Sequence, residues 1–142
     1  MELNNDQRHA QNAGEVLTMV CHGASDRAGW WHYANGAGSV DLKREVCSGT
    51  RFGKALVAEK LALIHSEISE GMEGHRKDKM DDHLPHRSML EVEHADAVIR
   101  IADLACALGL DLGGAIGEKL AYNASRPDHK PEARAAAGGK AY

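Results

Sequence analysis

The sequence predicts an all-α protein, a bundle of four to five antiparallel helices. Three observations carry that reading. Alanine and leucine are plentiful, and both favour helix. Aromatic residues make up only 4% of a chain that is 43% apolar, which leaves few β-branched or aromatic runs for a sheet. Apolar residues recur at helical spacing in four separate stretches. At 142 residues the chain is of ordinary size for one domain with a single core. That domain is expected over residues 1–130, with residues 131–142 as a tail.

A first helix is predicted over 4–22, where Ala10, Ala13, Val16, Leu17 and Val20 share a stripe. Asn5 or Asp6 can cap its start, and His22-Gly23 is expected to end it. Residues 23–50 read as an irregular loop broken by Gly23, Gly29, Gly36, Gly38 and Gly49. Gly36-Ala37-Gly38 lacks the strand, third glycine and helix of a dinucleotide fingerprint. The loop holds both tryptophans, in Trp30-Trp31-His32-Tyr33. Such a cluster either stacks a nucleobase, with Trp31 as the substrate-binding candidate, or plugs a core or subunit interface. Packing is the default.

The second helix is predicted over 53–73, approached by Thr50 and Gly53 and left by Gly71 and Gly74. Residues 74–87 are a charged connection in which Pro85 excludes a continuous helix. His83 and His86 there have no cysteine or second histidine pair to complete a zinc site, so they read as solvated. The third helix is predicted over 88–109. Ser88 followed by Glu91 is a capping-box pattern, and Gly109 closes the helix. One apolar stripe of this helix runs Val92, Ala95, Val98, Ile99, Ala102, Ala105, and a separate polar line runs Glu93, Asp96, Arg100, Asp103. Asp111 can cap a fourth helix over 112–125, whose line of Lys119 and Asn123 continues to Arg126.

The chemistry is concentrated between 61 and 103. Glu67 and Glu70 are answered on the next helix by Glu93 and Asp96, each pair three residues apart and therefore on one face. Leu56, Leu63, Glu67 and Glu70 follow one stripe, so the first pair continues a line that faces the core. Four converging carboxylates repel unless a compensating charge lies among them. A divalent cation with oxygen ligands, Mg2+ or Mn2+, is the simplest one. Paired glutamates also occur on solvated helix faces; it is the second pair on an adjacent apolar helix that favours a metal. Lys119, Asn123 and Arg126 add phosphate-capable donors.

Several classes are excluded or disfavoured. A net charge of −4 without a basic tract argues against nucleic acid as partner. No window approaches ~18 apolar residues, so no membrane span is expected, and the first residues lack the pattern of a signal peptide. Cys21, Cys47 and Cys106 are odd in number and widely spaced, as in reduced cytoplasmic thiols. Glu91 and His94 form one ExxH, whereas a ferritin-type di-metal bundle needs two. A non-enzymatic helical interaction module with solvated acids stays open, and it would tolerate Glu67→Gln.

With these residues in view, the chain resembles the MazG-like, all-α nucleoside triphosphate pyrophosphohydrolases. That family's ExxE followed by ExxD is matched by Glu67, Glu70, Glu93 and Asp96. Its Lys–Tyr–Asn–Arg run is matched by Lys119, Tyr122, Asn123 and Arg126. The resemblance covers about residues 53–130. It implies a MazG-type bundle in which Glu67, Glu70, Glu93 and Asp96 hold two or more Mg2+ or Mn2+ ions. The ions would bind the triphosphate and activate a water that attacks the α-phosphorus. Glu70 would take that water's proton, and Lys119, Asn123 and Arg126 would neutralise the leaving pyrophosphate. The compact size and His-rich connection are similar to the small phage-encoded MazZ branch, which implies dGTP or GTP as substrate in a host cytoplasm. A broad house-cleaning activity is the alternative within the family. The Trp30–Tyr33 loop has no counterpart in the family motif, so base selectivity does not follow residue by residue. Short helices with apolar residues on more than one face are expected to pair with another subunit, giving a homodimer or homotetramer.

Overall fold

The computed structural model describes residues 2–135. It contains six α-helices: α1 Asn5–Arg27, α2 Leu42–Cys47, α3 Arg51–Arg76, α4 Met89–Leu108, α5 Leu112–Ser125 and α6 Pro131–Ala135, with a 3₁₀ turn at Pro127–His129. No strand forms among the described residues; His32–Ser39 and Met80–Ser88 are isolated bridges. The all-α expectation holds. None of the helices of the described residues is long and apolar enough to cross a membrane.

Local chemistry sets most helix ends. Asp41, Thr50, Ser88 and Asp111 each accept from a backbone N–H in the first turn of the helix they precede. Gly109 closes α4 in the left-handed conformation, φ 67°. At α1 the cap lies one residue earlier than expected. Asn4 Oδ1 accepts from the Gln7 N–H at 2.9 Å, and Gln7 Oε1 accepts from the Asn4 N–H at 2.8 Å.

Three boundaries differ from expectation, each for a tertiary reason. The first helix runs past His22-Gly23 to Arg27, because His22 is anchored to Asp103 of α4. A mid-helix glycine costs about 1 kcal/mol of propensity, which such contacts outweigh. The stretch 23–50 is not wholly irregular: Leu42–Cys47 form α2, with Leu42 fully buried. Finally, Gly71 and Gly74 do not end the second helix, which continues to Arg76. They lie buried inside it where α4 comes close. A Cβ on Gly71 would stand 3.4 Å from the side chains of Glu93 and Leu90, and one on Gly74 only 2.8 Å from Met89. These glycines let the two acid-bearing helices approach.

The chain divides into two compact units. In Leu17–Leu110, the second half of α1 joins α2, α3 and α4 around Trp31, Leu42 and Leu104, with Val46, Leu56, Val57 and Ile64 packed against them. In the other unit, residues 2–16 meet α5 through small residues. Gly113 sits where a Cβ would come within 2.6 Å of the Gln11 carbonyl oxygen, and Gly14 faces the Gly113 backbone. The short α6 occupies 131–135 of the expected tail; residues 136–142 lie outside the described residues.

Both lines of α4 contribute to its buried side. Of the apolar stripe, Ala102 and Ala105 are buried, while Val98 and Ile99 are 48% and 42% exposed. Glu93 and Asp103, from the polar line, are buried as well. The helix turns its charges toward its neighbours, an unfavourable choice unless those charges have partners.

Candidate metal centre

Pairings along α3 and α4 run in opposite directions: Gly74 against Met89, Gly71 against Leu90 and Glu93, Glu67 against Arg100. The helices are therefore antiparallel. This alignment brings three of the four expected acids together. One carboxylate oxygen each from Glu67, Glu93 and Asp96 lie within 4.8 Å of one another. Glu67 is 6% exposed and Glu93 8%. Glu70 is exposed and stands outside this trio, but lines the same cleft, which measures about 530 Å³.

The electrostatics reflect the crowding. Burial, then a hydrogen bond with Glu67, then the charges of Glu70, Glu67 and Asp96 push the Glu93 carboxyl up to about 7 from the ordinary 4.5. Glu93 therefore holds its proton more tightly than an ordinary carboxyl does. Among the described residues, Arg100, 43% exposed along its side chain, supplies the one cation in direct contact, its Nε donating to Glu67 Oε1 at 2.6 Å. The guanidinium offsets part of the charge that a divalent ion would offset with the same oxygens. The donor set is all carboxylate, as a hard cation requires. The residues present therefore fit Mg2+ or Mn2+.

The connection after α3 contributes a wall that the sequence reading missed. Asp81 is buried, and its Oδ1 accepts from the backbone N–H groups of His83 and Leu84 at 2.9 and 2.6 Å. This turn sets His83 along the acidic cleft, where it remains exposed, as expected of a solvated loop histidine. The i, i+2 and i, i+3 relation of an Asp to the residues after it is a turn signal readable in sequence. Arg100 was readable too, since it follows Asp96 by one helical turn on the polar line.

The remaining expected residues are placed within their own units. Trp31 is corrected: it is 2% exposed, packed in the core, with no face left for a base, and its neighbour Trp30 is 73% exposed. Lys119, Asn123 and Arg126 belong to the unit of residues 2–16 and 111–135. There Lys119 Nζ and the Arg126 guanidinium lie 4.8 and 5.9 Å from the Tyr122 ring. Arg126 is not an open donor, because it forks onto Asp128 with Nε–Oδ1 at 2.9 Å. Asn123 Oδ1 is buried with no hydrogen-bond partner among the described residues. The Glu91–His94 pair of the ferritin reading faces outward, with Glu91 bound to Arg87 at 2.9 Å. Burial, with the Asp103 carboxylate second, pushes the Cys21 and Cys106 thiols up, which makes both poor nucleophiles.

No family model, curated protein or solved structure matches the chain.

Proposed function

We propose that the protein is a Mg2+- or Mn2+-dependent nucleoside triphosphate pyrophosphohydrolase of MazG type. It cleaves the α–β phosphoanhydride of dGTP or GTP to a nucleoside monophosphate and pyrophosphate. The observation that carries this reading is the convergence of Glu67, Glu93 and Asp96 oxygens within 4.8 Å from two antiparallel helices. Divalent ions held by these residues would polarise the phosphates and lower the pKa of a bound water. Glu70, outside the trio at an exposed place in the cleft, accepts the proton of the attacking water. Arg100 exchanges Glu67 for phosphate oxygens. The sequence resemblance implies that Lys119, Asn123 and Arg126 bind the pyrophosphate.

The reading includes a homo-oligomer. Leu61, Ile68 and Met72 on α3, and Val98 and Ile101 on α4, are each more than 40% exposed, and such stripes are covered most simply by a second copy. Light scattering on the eluting protein should then give a dimer or tetramer mass.

The test is a panel of the common NTPs and dNTPs with Mg2+ or Mn2+, resolving monophosphate plus pyrophosphate from diphosphate plus phosphate. Metal-dependent monophosphate from dGTP and GTP supports the reading. Broad cleavage keeps the enzyme class and removes the guanine preference. Absence of any hydrolysis favours the interaction module.

The Glu93 proton supplies a second check. Ions bind deprotonated carboxylates, so Mn2+ affinity should fall about tenfold per pH unit below 7 and level off above it. Isothermal titration at several pH values reads this directly. The sign for the metal-free fold is opposite to that of an ordinary ion-paired acid. With the folded pKa near 7 and the ordinary value 4.5, the contribution of Glu93 is fully present below 4.5 and lost as pH rises through 7. The metal-free protein should therefore melt lower at pH 7.5 than at pH 5.5, and Mn2+ should restore the difference.

A further inference from the structure

A second cleft, of about 290 Å³, adjoins the acidic one and shares Leu63, Asp96 and Arg100 with it. Its own side chains are of a different kind. Trp30 contributes an indole that is 73% exposed, and Lys60 an ammonium donor. Asp103 also lines it, although the residue is only 7% exposed. The Asp103 carboxylate is held rigidly: its Oδ1 accepts from Trp31 Nε1 at 2.8 Å and pairs with His22 Nδ1 at 2.7 Å. Oδ2 has no hydrogen-bond partner among the described residues. That oxygen is not sealed from solvent, so a ligand entering the cleft can supply it with a donor.

We infer that this cleft is the base subsite of the pyrophosphohydrolase proposed above, and that Asp103 selects guanine through Oδ2. The inference rests on that enzymatic reading. A carboxylate only accepts hydrogen bonds. Guanine places two donors side by side on its pairing edge, the N1–H and the N2 amino group. Adenine and cytosine set their amino group beside a bare ring nitrogen, and thymine and uracil flank their single N–H with carbonyl oxygens. Each of those bases therefore turns an acceptor toward the carboxylate. Lys60 completes the match by donating to the guanine O6, and the Trp30 indole provides the stacking wall. His22 and Trp31 are positioning residues, since they fix Asp103 without reaching the base. The sharing of Asp96 and Arg100 between the clefts puts such a base beside the acids that would hold its phosphates.

The test uses the full chain and needs no variant for its main arm. Titration with dGTP, dITP, dATP and dTTP in Ca2+ is followed by tryptophan fluorescence, beside kcat/KM for each in Mg2+. Because dITP lacks only the 2-amino group, losing one charge-assisted hydrogen bond should weaken it about 10- to 100-fold against dGTP. Trp30→Phe, at an exposed position, should keep the fold and lose most of the quenching. Asp103→Asn turns a donor toward the base and should abolish the dGTP-over-dITP preference; should that variant fail to fold, the wild-type ratio decides alone. Equal kcat/KM for dGTP and dITP, with hydrolysis intact, overturns the assignment of Asp103 and leaves the enzymatic reading standing. Neither binding nor hydrolysis of any triphosphate overturns both.

Discussion

Replacing Glu67 with Gln is expected to remove measurable Mn2+ binding and to lower pyrophosphohydrolysis by at least about a hundredfold. The bound comes from metal sites generally, where loss of an outer-shell partner alone costs about 10- to 100-fold, so a direct ligand costs no less. The substitution keeps the volume and the hydrogen-bonding shape of the side chain but removes the charge that a cation needs. Its effect on the fold should be opposite. Glu67 is 6% exposed and crowds Glu93, so taking away its charge relieves repulsion and lets the Glu93 pKa fall. The lost ion pair with Arg100 is a modest debit, because that guanidinium stays hydrated. The variant without metal should therefore melt no lower than the wild type at pH 7.5. Adding Mn2+ should raise the melting temperature of the wild type and leave the variant where it was. Melting curves with and without Mn2+, beside product formation, distinguish this from the interaction module, in which the change would be silent in both. A variant that unfolds while the wild type ignores Mn2+ would make Glu67 a structural acid.

How far the sequence could be read depends on whether the deciding contact is local. The α4 and α5 limits were legible because Ser88, Gly109 and Asp111 act on their own helix ends. Gly71 and Gly74 misled, since a glycine that breaks a helix and one that lets another helix approach look alike without the partner. Periodicity on α4 separated an apolar stripe from a polar line but did not show that both reach the buried side, where Glu93 meets α3 and Asp103 meets Trp31. The four carboxylates were found by spacing alone, although Glu70 stands apart from the tight trio. Asp103 was placed on the polar line without a role, because its partners His22 and Trp31 lie far back in the chain.

Trp30 and Trp31 are the sharpest case of information that spacing does not hold, and they give the second large effect. Adjacent in a loop, they differ in exposure from 73% to 2%. Trp31→Ala should destabilise the protein by about 3–5 kcal/mol, the cost of emptying a large buried aromatic site. The loss has two parts. One is the cavity among Leu42, Leu104 and Ile64. The other is the Nε1–H donor to Asp103, whose absence leaves a buried oxygen with His22 alone. Trp31→Phe separates them: it keeps most of the volume and should cost about 1.5–3 kcal/mol, the range for one lost hydrogen bond to a charged group. Trp30→Ala touches no core and should stay within about 0.5 kcal/mol of the wild type. Urea denaturation followed by circular dichroism measures all three, and equal effects at the two positions would refute the packing assigned to Trp31. Because Trp31 holds Asp103 and packs on Leu104, one helix with Glu93 and Asp96, the Phe variant should also loosen guanine selection while leaving Mn2+ affinity nearly intact. Packing and specificity would then share one indole, and the adjacent indole would serve the ligand.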